Sequence, residues 1–322
     1  MLRDLWQHVV ATGARRVTVV LRFTLVVCLL AVPLGCPGST KQTVTSQPES
    51  AASLVDIRPT IGLALGGGGA RGFAEIGVLR VLEQEKIPID LVVGTSVGSL
   101  IGAFYADTGS VLDAEFLAVT VEEEDLFDYG ALAFFSGGLV KGERLERFLT
   151  THLKHRTIEE MAVRFAAVAT ELRTGKTVAF ERGAIAPAVH ASCAIPGVFV
   201  PVQIGGVTYV DGGVTNPIPA DIARAMGAHI VIAVAIPAAV PEDVPQNPVA
   251  VAYHSTTIMA GEIGRLRARE ADVVIEPDVG DVAYDDFSLK KRLIADGEAA
   301  ARAALPAIRR EIWDRTRQNR TP

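Results

Sequence analysis

Two short apolar stretches of the sequence each run directly into a glycine-rich turn and then into a helical pattern. The first is "IGLALGGGGARGFAEIGVLRVLEQ" at residues 61–84, and the second is "VVGTSVGSLIGAFYA" at residues 92–106. Two successive strand–turn–helix units with a short crossover normally place their strands parallel and close together in one sheet. Both glycine turns should therefore lie at the same edge of that sheet, where its strands have their carboxyl ends.

The alternation of strand and helix patterns continues along the rest of the chain. The 322 residues, 49% of them hydrophobic, are enough for one large α/β domain with a full core. The pattern predicts a three-layer α/β/α fold with a mainly parallel central sheet. Strands are predicted at 61–65, 91–93, 165–170, 177–180, 207–210, 230–235 and 273–275, and helices are predicted to begin near Gly72, Val97, Glu143, Pro219, Val249 and Leu289.

The glycines of the first turn fit two nucleotide-binding patterns only in part. Gly67, Gly69 and Gly72 satisfy the G-x-G-x-x-G fingerprint of dinucleotide-binding folds. The acidic partner in that fingerprint stands at the carboxyl end of the next strand, whereas Asp90 precedes this strand and would lie at the opposite edge of the sheet. A phosphate-binding P-loop would end in Gly-Lys-Ser/Thr, and Ala70-Arg71-Gly72 stands there instead. A dinucleotide-binding oxidoreductase is therefore a weak alternative.

The second turn contains a candidate nucleophile, Ser96. It lies in a G-x-S-x-G pattern, in which a sharp turn between strand and helix presents the serine hydroxyl at the sheet edge. The other residues of this pattern are Gly94, Thr95, Val97 and Gly98. An ordinary turn with a helix-capping serine is the alternative for this pattern taken alone. The amides of Gly67, Gly68 and Gly69 are expected beside Ser96, where N–H groups at a helix N-terminus can stabilise an oxyanion. The first turn is therefore interpreted as an oxyanion hole.

Two residues are candidates for the base that would activate Ser96. His190, in "PAVHASCAIPGVFVP", is the best placed of the six histidines, although a structural histidine also fits this position. Asp211 follows a short predicted strand and precedes Gly212 and Gly213, which places a carboxylate in a tight loop at a strand end. A turn-forming aspartate is the alternative for Asp211.

Together these motifs resemble those of bacterial patatin-like phospholipases. "GGGGARG", "GTSVG" and "DGG" stand in that family's order and similar spacing, and "ATELRTGK" and "ASCAIPGVFVP" also resemble family segments. The resemblance covers roughly Ile61 to Ala304. It implies a Ser-Asp dyad without histidine, formed by Ser96 and Asp211, and an oxyanion site in which Arg71 and Gly72 accompany the glycines. It also implies a serine hydrolase of lipid acyl esters, similar to phospholipase A or lysophospholipase, with no metal or organic cofactor.

Two residues near the glycine turn need a separate explanation. Glu75, in "FAEIGVL", departs from the family pattern because many relatives have histidine there. Arg71 would lie in the first turn of a helix, where a cation opposes the helix dipole by a few tenths to about 1 kcal/mol. Orientation of the glycine loop or contact with an anionic head group would account for Arg71. A salt bridge to Glu75, four residues later, is the alternative.

The first 35 residues have the organisation of an export signal. Four arginines precede an apolar run of about a dozen residues, which is shorter than the roughly 20 residues of a membrane-spanning helix. The following "VPLGC" resembles a lipoprotein cleavage site and makes Cys36 the expected lipidated residue. The protein is then expected to be lipid-anchored in a bacterial cell envelope, facing the periplasm or in the outer membrane. A plain signal peptide or an uncleaved anchor is the alternative.

The chain after this signal is predicted to consist of a tether, a catalytic domain and a tail. Residues 36–57 are polar and indicate a flexible tether, residues 58–305 form the expected patatin-like domain, and residues 306–322 form a basic tail.

Charge and motifs together limit the expected partners. Loss of residues 1–35, with four arginines and one aspartate, would change the formal net charge from −6 to −9. Such a charge repels phosphate backbones, so nucleic acid is not an expected partner. The expected partners are an acyl-ester lipid as substrate and a membrane bound through the lipid anchor, with no obligate protein partner. A non-catalytic lipid-binding envelope lipoprotein on a hydrolase fold is the second functional alternative.

Overall fold

In the described part of the chain, five parallel strands form the main sheet, and three further strands join it through antiparallel pairings. The computed structural model describes residues 58–126, 128, 138–237, 248–283 and 286–318. The order across the sheet is β5-β6-β3-β2-β1-β7-β8, with β4 also paired to β3. The strands are β1 (Ile61–Leu65), β2 (Leu91–Thr95), β3 (Arg164–Glu171), β4 (Thr177–Phe180), β5 (Val202–Ile204), β6 (Val207–Asp211), β7 (Ile230–Val234) and β8 (Val273–Ile275).

Helices cover both faces of this sheet. The larger core lies on the face covered by α1, α2, α6 and α9, and a smaller, alanine-rich core lies under α7. Alternate residues of β1 serve the two cores, since Leu63 and Leu65 face the larger one and Ala64 the smaller one. The described helices are α1 (Phe73–Gln84), α2 (Val97–Thr108), α3 (Val111–Thr120), α4 (Glu123–Leu126), α5 (Glu143–His152), α6 (Ile185–Cys193), α7 (Ala220–Ala225), α8 (Pro248–Ala268) and α9 (Lys290–Gln318).

The predicted fold class is confirmed. The alternating pattern did not predict the antiparallel pairings of the sheet. β5 and β6 are joined by Gly205 and Gly206, which have φ of 59° and 80°. A two-residue turn with positive φ joins antiparallel strands, whereas parallel strands need a long crossover. Helices α3 and α6 were also not predicted, because their apolar residues lie between segments that resemble loops in the sequence.

The last helix is longer than the sequence pattern indicated. α9 continues through Pro306 to Gln318, and Ile308 within the expected basic tail is fully buried. The expected domain boundary between residues 305 and 306 therefore falls inside a helix. α9 packs closely on α1 because Gly77 and Gly297 allow backbone contact: a Cβ on either would overlap the opposite helix backbone. The basic side chains obscured this apolar stripe in the sequence.

The expected export signal, the tether and Cys36 lie outside the described residues. The described residues belong to the compact unit Leu54–Pro322. Within the described ranges, no helix combines the length and the apolar character that crossing a membrane requires.

Candidate active site

Ser96 occupies a strained turn between β2 and α2. Its backbone has φ 55° and ψ −127°, a positive-φ conformation that residues with side chains rarely adopt. The turn is tight because its two glycines lack side chains. A Cβ on Gly94 would overlap the Gly98 carbonyl group, and a Cβ on Gly98 would lie 2.5 Å from the carbonyl oxygen of Leu65. A turn of this geometry presents the serine at the carboxyl end of β2.

The glycine loop after β1 lies beside this turn, because β1 and β2 are parallel neighbours. A Cβ on Gly67 would lie 3.4 Å from the Cβ of Ser96. The amides of Gly66 and Gly67 are already used, since they donate to the carbonyls of Val234 and Pro217 at 3.1 and 3.0 Å. The amides of Gly68 and Gly69 make no such hydrogen bond within the described ranges. Two unused backbone donors therefore stand next to the serine.

Arg71 supports the glycine loop from behind. Its Nε donates to the Gly68 carbonyl at 3.1 Å and its Nη1 to the Pro237 carbonyl at 2.7 Å, and the residue is buried. These bonds favour loop orientation over an ion pair with Glu75. Both carboxyl oxygens of Glu75 are buried and receive no hydrogen bond from the described residues, Arg71 included. Gly72 brings the loop against the elbow, because a Cβ there would overlap the Val97 side chain.

The register of the sheet brings Asp211 to the same place. β3 pairs with β4 along one side, so β2 and β6 share its other side. Thr95 at the end of β2 pairs with Val168, and Asp211 at the end of β6 pairs with Ala169, the next residue of β3. β6 runs antiparallel to β3 and β2 runs parallel to it, so the carboxyl ends of β2 and β6 meet. Asp211 therefore arrives beside the residue that follows Thr95, which is Ser96.

The environment of Asp211 keeps its carboxyl group basic. Burial raises the pKa of Asp211 to about 6, while the nearby Ser96 side chain and the Gly213 amide lower it. Oδ1 accepts a hydrogen bond from the Gly213 N–H at 2.7 Å. Oδ2 is buried and has no partner with full hydrogen-bond geometry among the described residues. The serine is thus close enough to influence Oδ2 without a well-formed hydrogen bond, which is a common arrangement in unliganded sites.

His190, the other candidate base, points to a different part of the molecule. Its Nδ1 lies 2.7 Å from Oε1 of Glu146 on α5. Its Nε2 lies under Gly142, where a Cβ would overlap the ring, and finds no hydrogen-bond partner among the described residues. The ring packs edge-on against Phe199. These contacts are those of a structural histidine that joins α6 to α5.

The loop after Asp211 also shapes the site, which the sequence analysis missed. The Thr95 hydroxyl donates to the Asn216 carbonyl at 2.8 Å, and the Pro217 carbonyl accepts from the Gly67 amide. Gly212 allows close packing on β3, because a Cβ there would overlap the Val168 carbonyl. The position of "TNPIP" directly after the Asp-Gly-Gly motif was the available signal.

An apolar pocket opens beside Ser96. Its wall is made almost entirely of carbon, and Gly69 and Ser96 are among the residues that line it. The other lining residues are Ala70, Phe73, Val97, Leu100, Ile101, Leu117, Val121, Leu126, Leu145, Cys193, Ile195, Phe199 and Phe287. Leu126 is the last residue of α4, and residues 127 and 129–137 after it lie outside the described part. A pocket with this apolar lining suits a flexible hydrocarbon group.

The remaining cofactor patterns find little support in the geometry. Asp90 lies at the amino end of β2, where it accepts hydrogen bonds from Arg58 and from the Ile61 amide, so it is at the edge opposite the glycine loop. Within the described residues, no group of three or more His, Cys, Asp or Glu is arranged to hold a metal ion.

Known sequences match the part of the chain that contains the glycine loop, Ser96 and Asp211. A family profile described as patatin-like phospholipase matches residues 63–224. The chain belongs to the patatin-like phospholipase family. The matched segment includes the glycine loop, Ser96 and Asp211.

Bacterial and animal proteins share this patatin-like segment. An uncharacterized NTE family protein of Mycobacterium tuberculosis is 32% identical over 178 residues, which are 55% of this chain and 49% of that protein. Human patatin-like phospholipase domain-containing protein 6 is 36% identical over 183 residues, 54% of this chain and 13% of that protein. The chain therefore spans about half the length of the mycobacterial relative. VipD from Legionella pneumophila shares the fold, with a TM-score of 0.52 and 14% identity over 78% of this chain and 67% of VipD.

Proposed function

We propose that this protein is a serine acyl hydrolase that cleaves lipid esters with a Ser96–Asp211 dyad. Family membership supports hydrolysis of lipid acyl esters in general. The observation that carries the finer proposal is the strained Ser96 beside a buried carboxyl group of pKa about 6. A base of this pKa is mostly ionised at neutral pH and still able to accept a hydroxyl proton.

The reaction follows from the positions of these groups. Asp211 takes the proton of the Ser96 hydroxyl as Oγ attacks the ester carbonyl, and the amides of Gly68 and Gly69 donate to the resulting oxyanion. Collapse of the tetrahedral intermediate breaks the ester bond, and Asp211 returns the proton to the leaving alcohol. Asp211 then takes a proton from water, whose oxygen attacks the acyl-enzyme, and returns this proton to Ser96 Oγ as the second tetrahedral intermediate collapses. The products are the alcohol portion of the lipid and a free fatty acid.

The pocket beside Ser96 supports a lipid acyl chain as the group that is transferred. Ser96 lines it together with apolar side chains, so an acyl group attached to the nucleophile could extend its chain into it. Phospholipids or lysophospholipids are the proposed substrate class, cleaved at an acyl ester. Arg71 is committed to carbonyl groups of the protein and is therefore assigned to the loop rather than to the head group.

Covalent labelling with a fluorophosphonate probe tests this proposal. The wild-type protein should label at Ser96, release fatty acid from phospholipid vesicles, and lose both activities in the Ser96→Ala variant. A folded wild type that binds lipid without labelling or turnover would favour the lipid-binding lipoprotein instead. Binding of NADH without labelling would favour the dinucleotide alternative.

We also propose that the protein is lipid-anchored in a bacterial envelope through Cys36. The support is the charged and apolar sequence that precedes "VPLGC". A bacterial host fed labelled palmitate should incorporate the label into the wild-type protein and not into the Cys36→Ser variant. An unlabelled wild type would contradict the anchor.

A further inference from the structure

One turn of the chain, Ser192 to Ala194 at the end of α6, contacts the backbone of both proposed dyad residues. The Ser192 Oγ accepts a hydrogen bond from the Ser96 amide at 3.0 Å. The carbonyl of Ala194 accepts the Asp211 amide at 2.8 Å. Two residues that are 115 positions apart in the sequence are thus held by groups only two positions apart. This turn fixes the distance between nucleophile and base from one rigid element.

The Ser192 hydroxyl can take only one orientation. It donates its own proton to the Val168 carbonyl of β3 at 2.6 Å, so its lone pairs are directed to the Ser96 amide. Ser192 is fully buried, and water cannot easily replace it there. The Ser192 Oγ is the acceptor of the Ser96 N–H, and a buried N–H without an acceptor is strongly unfavourable. The hydroxyl of Ser192 therefore stabilises the one backbone conformation that presents the nucleophile.

We propose that Ser192 is a positioning residue for the hydrolase reaction, which holds the Ser96 backbone in register with Asp211. The inference rests on the proposed Ser96–Asp211 mechanism. Ser192 does not contact the substrate carbonyl or move a proton; it acts through the Ser96 amide. Loss of its hydroxyl should let the elbow relax toward an ordinary turn, which moves Oγ away from both the base and the oxyanion donors.

The test compares Ser192→Ala with the wild type in turnover of a short-chain nitrophenyl ester. We expect kcat to fall roughly 10- to 100-fold, as the loss of one buried hydrogen bond predicts, with KM changed less than about twofold. The rate of fluorophosphonate labelling should fall in parallel, because labelling depends on the same nucleophile geometry. The acid limb of the pH profile should move to higher pH, because the Ser96 side chain, which lowers the pKa of Asp211, moves away from it.

Ser99→Ala is the matched control. The Ser99 hydroxyl also bonds to Ser96, donating to its carbonyl at 2.7 Å, but that carbonyl also accepts the amides of Ser99 and Leu100. Its loss leaves the Ser96 carbonyl satisfied and removes, besides that bond, only a weak 3.8 Å contact with the Cys193 thiol, so kcat should stay within about threefold of the wild type. Melting curves establish that each variant is folded. If Ser192→Ala does not fold, Ser192→Cys decides the test. Cysteine has nearly the size of serine but is a weak hydrogen-bond acceptor.

Three results would overturn the inference. These are a folded Ser192 variant with wild-type kcat, an equal loss of kcat in Ser192→Ala and Ser99→Ala, or a loss that appears only in KM. A wild type that neither labels nor hydrolyses ester would instead overturn the proposed mechanism itself, so the two failures are distinguishable.

Discussion

Two buried carboxyl groups lie near the glycine loop, and they differ in what surrounds them. Asp211 ends β6, bonds to the Gly213 amide and lies beside Ser96, and its pKa is about 6. Glu75 lies in the first turn of α1, fully buried, with no hydrogen-bond partner for either oxygen among the described residues. Burial raises the pKa of Glu75 well above its usual range, and the nearby Gly66 amide only partly opposes this.

The comparison shows that burial alone does not make a carboxyl group useful as a base. Both groups are desolvated, but Asp211 retains donors that stabilise its charged form, and so its pKa remains in a range suited to proton transfer. The Gly66 amide near Glu75 already donates its hydrogen bond to Val234, so Glu75 is expected to stay neutral. We therefore assign chemistry to Asp211 and none to Glu75.

Removing the ionisable group from each residue gives the largest expected contrast. Asp211→Asn keeps the shape of the side chain but cannot accept the Ser96 proton, so kcat should fall by about 10² to 10⁴. Glu75→Gln should keep kcat within a few-fold of the wild type. The measurement is ester turnover by folded variants. A large loss in Glu75→Gln with little loss in Asp211→Asn would reverse the assignment.

His190→Ala serves as the control for the alternative base. The His190 ring bonds to Glu146 and packs under Gly142, so its removal should affect stability more than turnover. Retained activity is expected in any folded His190→Ala protein. Loss of turnover equal to that of Asp211→Asn would restore a histidine-dependent mechanism.

The glycine loop lies near Glu75, and substitutions in it test whether its backbone amides stabilise the oxyanion. Gly68→Ala would place a Cβ 2.6 Å from the Ile236 Cγ2, and Gly69→Ala would strain a backbone of φ 59°. Either change should displace an oxyanion donor and lower kcat by about 10² to 10³, with a smaller effect on substrate affinity. Circular dichroism and melting check the fold. Wild-type turnover in both folded variants would remove the oxyanion assignment.

The pH dependence of kcat/KM gives a smaller but more specific signal. The base works only when ionised, so activity should be full well above pH 6 and fall as the pH drops through about 6. At pH 4.5 the loss should be roughly 30-fold relative to pH 7.5, if one group of that pKa controls the rate. The Glu75→Gln variant should show the same fall of kcat/KM at low pH. A limb that shifts in Glu75→Gln would show that Glu75 titrates in the reaction.

Local motifs carried most of what could be predicted about the site. The glycine loop and the elbow follow directly from the sequence, because each is one continuous segment in which missing side chains determine the backbone path. The meeting of Asp211 with Ser96 depends on β6 following β2 along the same side of β3, a non-local pairing that no local pattern encodes. Ser192 was missed for the same reason, since its partner lies in another strand–turn–helix unit.

The smallest expected effect separates the two carboxyl groups by their effect on stability. Each has a pKa that is higher in the folded protein than in an unfolded chain, where Asp and Glu titrate near 4. Above that pH the unfolded chain releases a proton that the folded protein keeps, so both groups make the fold less stable as pH rises. For Asp211 this loss ends near pH 6, where the folded protein also ionises. For Glu75, whose pKa burial raises well above its usual range, this loss should extend to higher pH.

Melting of Glu75→Gln and Asp211→Asn from pH 4 to pH 8 measures this difference. Both variants should melt close to the wild type at pH 4, and both should gain relative to it as the pH rises. The gain of Asp211→Asn should level off above about pH 6, while that of Glu75→Gln should continue to grow at higher pH and become the larger of the two. Parallel curves would mean that the two carboxyl groups titrate alike, and the distinction between a poised base and a permanently neutral acid would then fail.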